Sequence, residues 1–197
     1  MNATKLKHDS AVKHITGQSV YVNDMEVSPL QLTGRVVYST VAHGMIRSAD
    51  ISEALRTPGV AAILSAKDIP GINQMGPVVH DEPCLAVSEV SFIGQAVLLI
   101  AADSEEIAIE AEKLIRIEYE EMPAILPLQE AMTRDELIAP ARYIINGDAE
   151  SALATSPHLL SGCLETGAQE HWYLETQSAL AVPGEENEML IYASSQN

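Results

Sequence analysis

Ala96-Val97-Leu98-Leu99-Ile100-Ala101, followed by Asp103, Glu106, Ile107, Ala111, Leu114 and Ile115, is the stretch that decides the fold. A short run that is apolar at every position predicts a strand covered on both faces. Asp103 and Glu106 have the D-x-x-E spacing of a capping box, in which each side chain satisfies an orphan amide at a helix start. Ile107, Ala111, Leu114 and Ile115 then recur at helical spacing, which predicts an amphipathic helix packed on the sheet. Ile115-Arg116-Ile117-Glu118-Tyr119 alternates and returns to strand. Strand, helix and strand in that order predict an α/β unit.

Upstream, Ser19-Val20-Tyr21-Val22 reads as a short strand stopped by the turn pair Asn23-Asp24. Leu30 to Thr40 alternates and carries β-branched residues, predicting a second strand. Asp50 to Leu55 predicts a short helix stopped by Pro58-Gly59. Val60 to Leu64 predicts a buried central strand. Gly71 to Pro83 has glycine, proline and polar residues without periodicity, which is a loop of the length that often serves an interface or a function. The opening residues to about Asp9 are polar and are expected to extend from the body. Downstream, Glu130 to Asp148 predicts a polar connection. His158–Glu165, Ala179–Val182 and Met189–Ala193 predict three strands, with Pro183-Gly184 starting the turn between the last two. Three strands without a covering layer make a poor domain. Either they extend the first domain's sheet, or they open a larger domain that continues past Asn197; the second reading is the better one.

Composition narrows the function. Lys plus Arg total 11 against 28 Asp plus Glu, a formal net charge of −17. Such a surface repels phosphate backbones and anionic lipid, so neither nucleic acid nor a membrane surface is an expected partner. No run approaches the roughly 20 apolar residues of a membrane span, and the first twenty residues do not resemble a secretion signal. Cys84 and Cys163 are far apart in apolar surroundings and are expected to be reduced, buried thiols of a cytoplasmic protein. Two cysteines cannot form a four-thiolate zinc or iron–sulfur site.

The common chemical motifs are missing: no G-x-G-x-x-G, no Walker-type lysine and no G-x-S-x-G. His171 and Glu175, four apart, would form half a metal site on a helix but lack a third ligand. His43 is a lone imidazole expected to be hydrogen-bonded and structural. The densest polar and aromatic cluster is Thr166-Gly167-Ala168-Gln169-Glu170-His171-Trp172-Tyr173-Leu174-Glu175-Thr176, which contains the only tryptophan. As extended chain it would place Gln169, His171, Tyr173 and Glu175 on one side. Burying an amide and an imidazole costs about 1–3 kcal/mol each without partners. The cluster is therefore either on the surface or part of an organised polar site.

Gly167 to Thr176 resembles the segment that opens the molybdopterin-binding domain of xanthine dehydrogenases and aldehyde oxidases, usually Gly-Gly-Gln-Glu-His-Phe-Tyr-Leu-Glu. Ala168 and Trp172 are mild departures from that pattern. Thr16-Gly17-Gln18 with Tyr21-Val22-Asn23-Asp24 is similar to the family's opening strand. Pro58-Gly59-Val60, Asp68-Ile69-Pro70-Gly71-Ile72-Asn73, Asp81-Glu82-Pro83 and Gly94-Gln95-Ala96-Val97 resemble its α/β hammerhead domain. The Asp81-Glu82-Pro83 triplet leans toward xanthine dehydrogenase, and Ser194-Ser195-Gln196-Asn197 is similar to a family Ser-Thr-Gln-Asn. The ordered set covers nearly the whole chain.

The resemblance implies a mixed α/β (α+β) chain. A hammerhead domain would span 1–135, with Val60, Ile63, Val97, Leu99, Ile107 and Leu114 in its core. A linker at 136–157 and the first, incomplete part of a molybdopterin-binding domain at 158–197 would follow. It implies oxidative hydroxylation of purines, related heterocycles or aldehydes, with a molybdenum–molybdopterin cofactor in the full enzyme that is not expected on this stretch alone. Iron–sulfur and FAD subunits or domains would be partners, in a homo-oligomer. Gln169 is the residue the resemblance places near molybdenum, and Gly167 and Ala168 would let the backbone pass close to the cofactor. The family's catalytic glutamate would lie beyond Asn197. Two rival readings are a non-catalytic assembly module built on the hammerhead fold and a small independent binding protein with that fold.

Overall fold

The computed structural model describes residues 8–25 and 28–195. Residues 1–7, most of the stretch expected to extend from the body, lie outside the described residues, as do Gln196 and Asn197 of the terminal Ser-Ser-Gln-Asn. The chain forms two compact units: Ser28–Tyr143, and Met1–Val27 together with Ile144–Asn197.

In the unit Ser28–Tyr143, β1 (Thr33–Tyr38), β2 (Gly44–Asp50), β3 (Val60–Leu64), β4 (Glu89–Val90), β5 (Ala96–Ala102) and β6 (Arg116–Glu121) make two three-stranded sheets, ordered β1-β5-β3 and β4-β2-β6. Every ladder is antiparallel. β5 is the central strand of its sheet, which explains its unbroken apolar run: Val97, Leu98, Ile100 and Ala102 are all buried. The α/β unit read from the sequence exists as strand, helix, strand, but β5 and β6 belong to different sheets, so the helix links two sheets. That helix, α2 (Glu105–Glu112), buries Ala108 and Ala111 and packs on β1, β3 and β5. An ion pair at 2.6 Å between Arg35 of β1 and Glu112 of α2 fastens its far end.

The structure corrects several sequence readings. The helix cap is Ser104, whose Oγ accepts the Ile107 amide at 3.3 Å; Asp103 with Glu106 is one residue out of step. Ser104 won because its hydroxyl, on an extended residue, sits directly before the first helical turn. Leu114 lies past the end of α2 and is 38% exposed, so it is not in the core, and Leu99 is only half-buried. Val60 and Ile107 pack against the core from partly buried positions, while Ile63 and Val97 are buried. β3 is an edge strand; its apolar character comes from covering the core with Ile63 while Leu64 stays exposed. Residues 50–55 form no α-helix. β2 runs to Asp50, Asp50 caps the amide of Ser52, and only a short 3₁₀ turn follows at Ala54–Arg56. Ser19–Val22 is not a strand: α1 (Ala11–Thr16) ends at Gly17, and Val22–Asp24 is a 3₁₀ turn held by Asp24 accepting the Tyr21 amide.

The expected polar connection Glu130 to Asp148 begins inside a helix, α3 (Leu128–Thr133), because Leu128 to Thr133 close a short turn of helix. The chain is irregular from there to Asp148, which caps α4 (Ala149–Thr155) by accepting the Ser151 amide at 2.9 Å. In the other unit, the expected strand at His158–Glu165 has no ladder partner and is irregular. β7 (Ala179–Pro183) and β8 (Met189–Ala193) pair only with each other. They therefore form a hairpin of their own and do not extend the first sheets. No described residue of 8–25 or 144–195 is buried. Cys84 is half-buried and Cys163 exposed, both free, so the expectation of two buried thiols fails. None of the described helices is long and apolar enough to cross a membrane.

Candidate functional site

The cluster read from the sequence, 166–176, lies in an irregular run between α4 and β7. Its alternation breaks at Trp172, whose φ of 49° is left-handed. The extended one-sided array Gln169, His171, Tyr173 and Glu175 is therefore broken, although the His171 and Tyr173 rings remain neighbours with centroids 6.4 Å apart. Trp172 and Leu174 are 89% and 87% exposed, and Tyr173 is about half covered. His171 and Glu175 are not on a helix. Among the described residues no cluster of three His, Cys, Asp or Glu side chains could hold a metal ion.

Several contacts fix the course of this run. Ser194 Oγ donates to Thr176 O at 2.9 Å and accepts the Ser178 amide at 2.9 Å, tying the run to β8. The Gln177 side chain donates to Tyr173 Oη at 3.2 Å. Glu175 Oε1 accepts the Val22 amide at 2.7 Å, a hydrogen bond spanning 153 residues of sequence. A cleft of about 450 Å³ is lined by Glu170, Trp172, Tyr173, Thr176 and Gln177. A second, of about 550 Å³, lies between Val20, Tyr21, Val22, Met25 and Glu175 on one side and Ile191, Tyr192 and Ala193 on the other. Sequence reading missed the Glu175–Val22 bond, because nothing in either segment's local pattern announces a partner so distant in sequence.

Gln169 is exposed and its side-chain amide makes no hydrogen bond among the described residues. A Cβ built on Gly167 would meet nothing within 4 Å, so the chain's own packing does not require glycine there. This donor set fits a hydrogen-bonding role toward a bound cofactor: it has a neutral amide with its NH2 free among the described residues, preceded by two small residues, Gly167 and Ala168. It does not fit metal ligation.

His43 behaves as the sequence suggested. One ring nitrogen bonds Pro123 O at 2.8 Å and the other the Glu89 carboxylate at 3.0 Å. The carbonyl first, and the carboxylate second, raise its pKa above the ordinary histidine value. The loop 71–83 is internally organised. Gln74 Oε1 accepts the amides of Met75, Gly76 and Glu82, and Asn73 exchanges two hydrogen bonds with Leu85.

Residues 16–123 match the aldehyde oxidase and xanthine dehydrogenase a/b hammerhead domain. The chain belongs to this family. Residues 133–197 match the molybdopterin cofactor-binding domain. The chain is 42% identical over 192 residues to the xanthine dehydrogenase of Dictyostelium discoideum, covering 98% of this chain and 14% of that protein. It is 40% identical to the xanthine dehydrogenase/oxidase of Gallus gallus, with the same coverage. Among solved structures, it superposes on the aldehyde oxidoreductase of Desulfovibrio gigas with TM-score 0.81 and 27% identity, covering 95% of this chain and 23% of that one. Quinoline 2-oxidoreductase of Pseudomonas putida gives TM-score 0.78 at 25% identity, covering 97% of this chain and 26% of that one. The family's hammerhead and cofactor-binding domains thus follow one another here, in a chain that spans about one-seventh of the length of its curated relatives.

Proposed function

We propose that this chain supplies the hammerhead domain and the first part of the cofactor-binding domain of a molybdenum hydroxylase that oxidises purines, related heterocycles or aldehydes. The observation carrying this reading is the ordered match to both domains, 16–123 then 133–197, together with about 40% identity to xanthine dehydrogenases. The boundaries that follow are a hammerhead domain to about residue 135, a linker to 157 and cofactor-binding sequence from 158. Iron–sulfur and FAD modules are its partners, in a cytoplasmic homo-oligomer; two free cysteines and a net charge of −17 agree with that setting and argue against nucleic acid.

Within this reading Gln169 is the residue that meets the molybdenum centre, and Gly167 and Ala168 let the backbone approach the pterin. The cofactor, when bound, supplies the redox chemistry. Gln169 offers a donor that neither titrates nor adds charge. If that bond strengthens as negative charge builds during turnover, it lowers the barrier instead of only tightening binding. In the molybdenum-loaded enzyme carrying this chain, Gln169→Ala lowers turnover per bound molybdenum by about 10- to 1,000-fold. Unchanged turnover with a lower melting temperature would assign Gln169 a purely structural role and sink the proposal.

A further inference from the structure

The hydrogen bond from Val22 to Glu175 has no role in the reading above. The segment before Met25 contains no buried residue among those described, and neither does the segment around Gln169. Neither can be held by a core of its own. What holds them together is specific: the Glu175 carboxylate takes the Val22 amide at 2.7 Å, at a partly buried spot. On the Val22 side, the Tyr21 amide is taken by Asp24 Oδ2 at 3.2 Å, and Asp24 N donates to Tyr21 O, which fixes the turn that presents the Val22 amide. On the Glu175 side, Ser194 Oγ donating to Thr176 O and accepting the Ser178 amide fixes the backbone from which Glu175 projects. Each end of the bond is thus preset by its own short-range contacts.

We propose that Glu175 is a positioning residue: by clasping the Val22 amide it makes residues 20–25 one wall of the unit that carries Gln169 and restrains the run 169–175. This rests on the assignment of Gln169 to the cofactor site only for its consequence in catalysis; the clasp itself is a statement about this chain. A carboxylate accepting a backbone N–H is among the stronger hydrogen bonds a protein makes. It also stands where no buried apolar contact competes with it, so its loss has no substitute.

The test is made on the 197-residue chain by nuclear magnetic resonance, without cofactor. Glu175→Ala is expected to speed hydrogen exchange at the Val22 amide by about tenfold or more. It should also lower the backbone order parameters of Gln169–Leu174 toward the flexible range, below about 0.6. Glu175→Gln keeps a side-chain oxygen that can accept the same bond and should restore most of both signals. The amides of Val97, Leu98 and Ile100 serve as an internal control that the variant has folded. Unchanged Val22 exchange in Glu175→Ala would overturn the clasp. So would faster exchange at Val22 with Gln169–Leu174 unaffected, or a Glu175→Gln variant as loose as Glu175→Ala. These readouts are independent of turnover, so the clasp can fail while the Gln169 assignment stands, and the reverse.

Discussion

The hammerhead unit and the β7–β8 hairpin both rest on antiparallel ladders, yet they use their apolar residues differently. In the first, Ile100 and Val90 are fully buried and lie in one core with Val37, Ile63, Val97 and Leu98. In the second, Leu190 and Ile191 are 53% and 62% exposed, although each is paired across the hairpin. Hydrogen-bonded pairing alone does not make a core; a second layer does, and α2 supplies that layer only to the first unit. The largest expected effect follows. Ile100→Ala should destabilise the hammerhead unit by about 2–5 kcal/mol, as large-to-small changes in a closed core do. Ile191→Ala should change stability by no more than about 0.5 kcal/mol, as surface changes do. Chemical denaturation followed by amide exchange in each unit measures both. Equal costs would erase the contrast.

Glycines sharpen the same comparison at a smaller scale. Gly44 sits in β2 between β4 and β6, where a Cβ would lie 2.8 Å from Glu120 O and 3.3 Å from Glu121 Cα, both backbone atoms. Gly44→Ala must therefore push a neighbouring strand aside, at about 1–3 kcal/mol. Gly167 in the other unit has open space at the same position. Gly167→Ala should leave folding within about 0.5 kcal/mol of the parent. If bulkier residues at 167 reduce molybdenum content without altering the melting temperature, the space belongs to the cofactor. If they lower the melting temperature instead, the glycine serves the fold.

A third effect is smaller and depends on pH. His43 has acceptors on both ring nitrogens, so its protonated form is the better fit. Its pKa in the folded chain is raised, chiefly by Pro123 O and then by Glu89. The stabilisation is thus complete below the unfolded value near 6.5 and is lost as pH rises through the higher folded value. Denaturation midpoints of the hammerhead unit should fall modestly as pH rises above about 6.5. In His43→Ala that part of the slope should disappear. A slope unchanged by the substitution would mean that other groups carry it.

How much of this was legible in the sequence depended on whether the cause was local. The unbroken apolar run Ala96–Ala101 gave a central strand, and the hairpin turn after Pro183 stood where its residues placed it. β3 looked central because its residues are equally apolar, but edge or centre is decided by which strands flank it, and that is not written in Val60–Leu64. The cap was misread by one residue because Asp103 and Ser104 are both good N-caps and only the backbone chooses. β2 was missed since Gly44–Asp50 is mostly exposed and polar at one end, with no alternation to read. Gln169 is proposed through resemblance alone; the residues around it leave surface and site equally open. The Glu175–Val22 bond joins positions 153 residues apart and has no signature in one sequence.

The smallest effect compares two hydroxyls, one in each unit, that are shielded from water without a hydrogen-bond partner: Tyr119 Oη in β6 and Ser178 Oγ beside β7. The Tyr119 ring packs against the hammerhead core; burial raises its pKa, and the nearby Ser39 hydroxyl acts in the opposite direction without reaching full hydrogen-bond geometry. The neighbouring Ser39 hydroxyl is already occupied, donating to Val41 O at 2.9 Å and accepting the Val41 amide at 3.2 Å. At Ser178 the backbone amide and carbonyl are taken by Ser194, but the side-chain oxygen is left over. A buried polar group that makes no bond carries a desolvation penalty without compensation, so deleting it costs nothing and can stabilise. Tyr119→Phe and Ser178→Ala should each leave stability unchanged or raise it, by at most about 1 kcal/mol. The two should differ in one respect. Phenylalanine keeps the whole ring against the core, so any gain at Tyr119 should appear as a higher denaturation midpoint for the hammerhead unit. Ser178 Oγ is itself shielded, but the residues of its unit are at most half-buried, so its change should be the smaller of the two. A loss above about 1 kcal/mol at Tyr119 would reveal a partner for its hydroxyl in solution, with Ser39 the first place to look. A comparable loss at Ser178 would show that the hairpin unit is more tightly enclosed than its exposed apolar residues indicate.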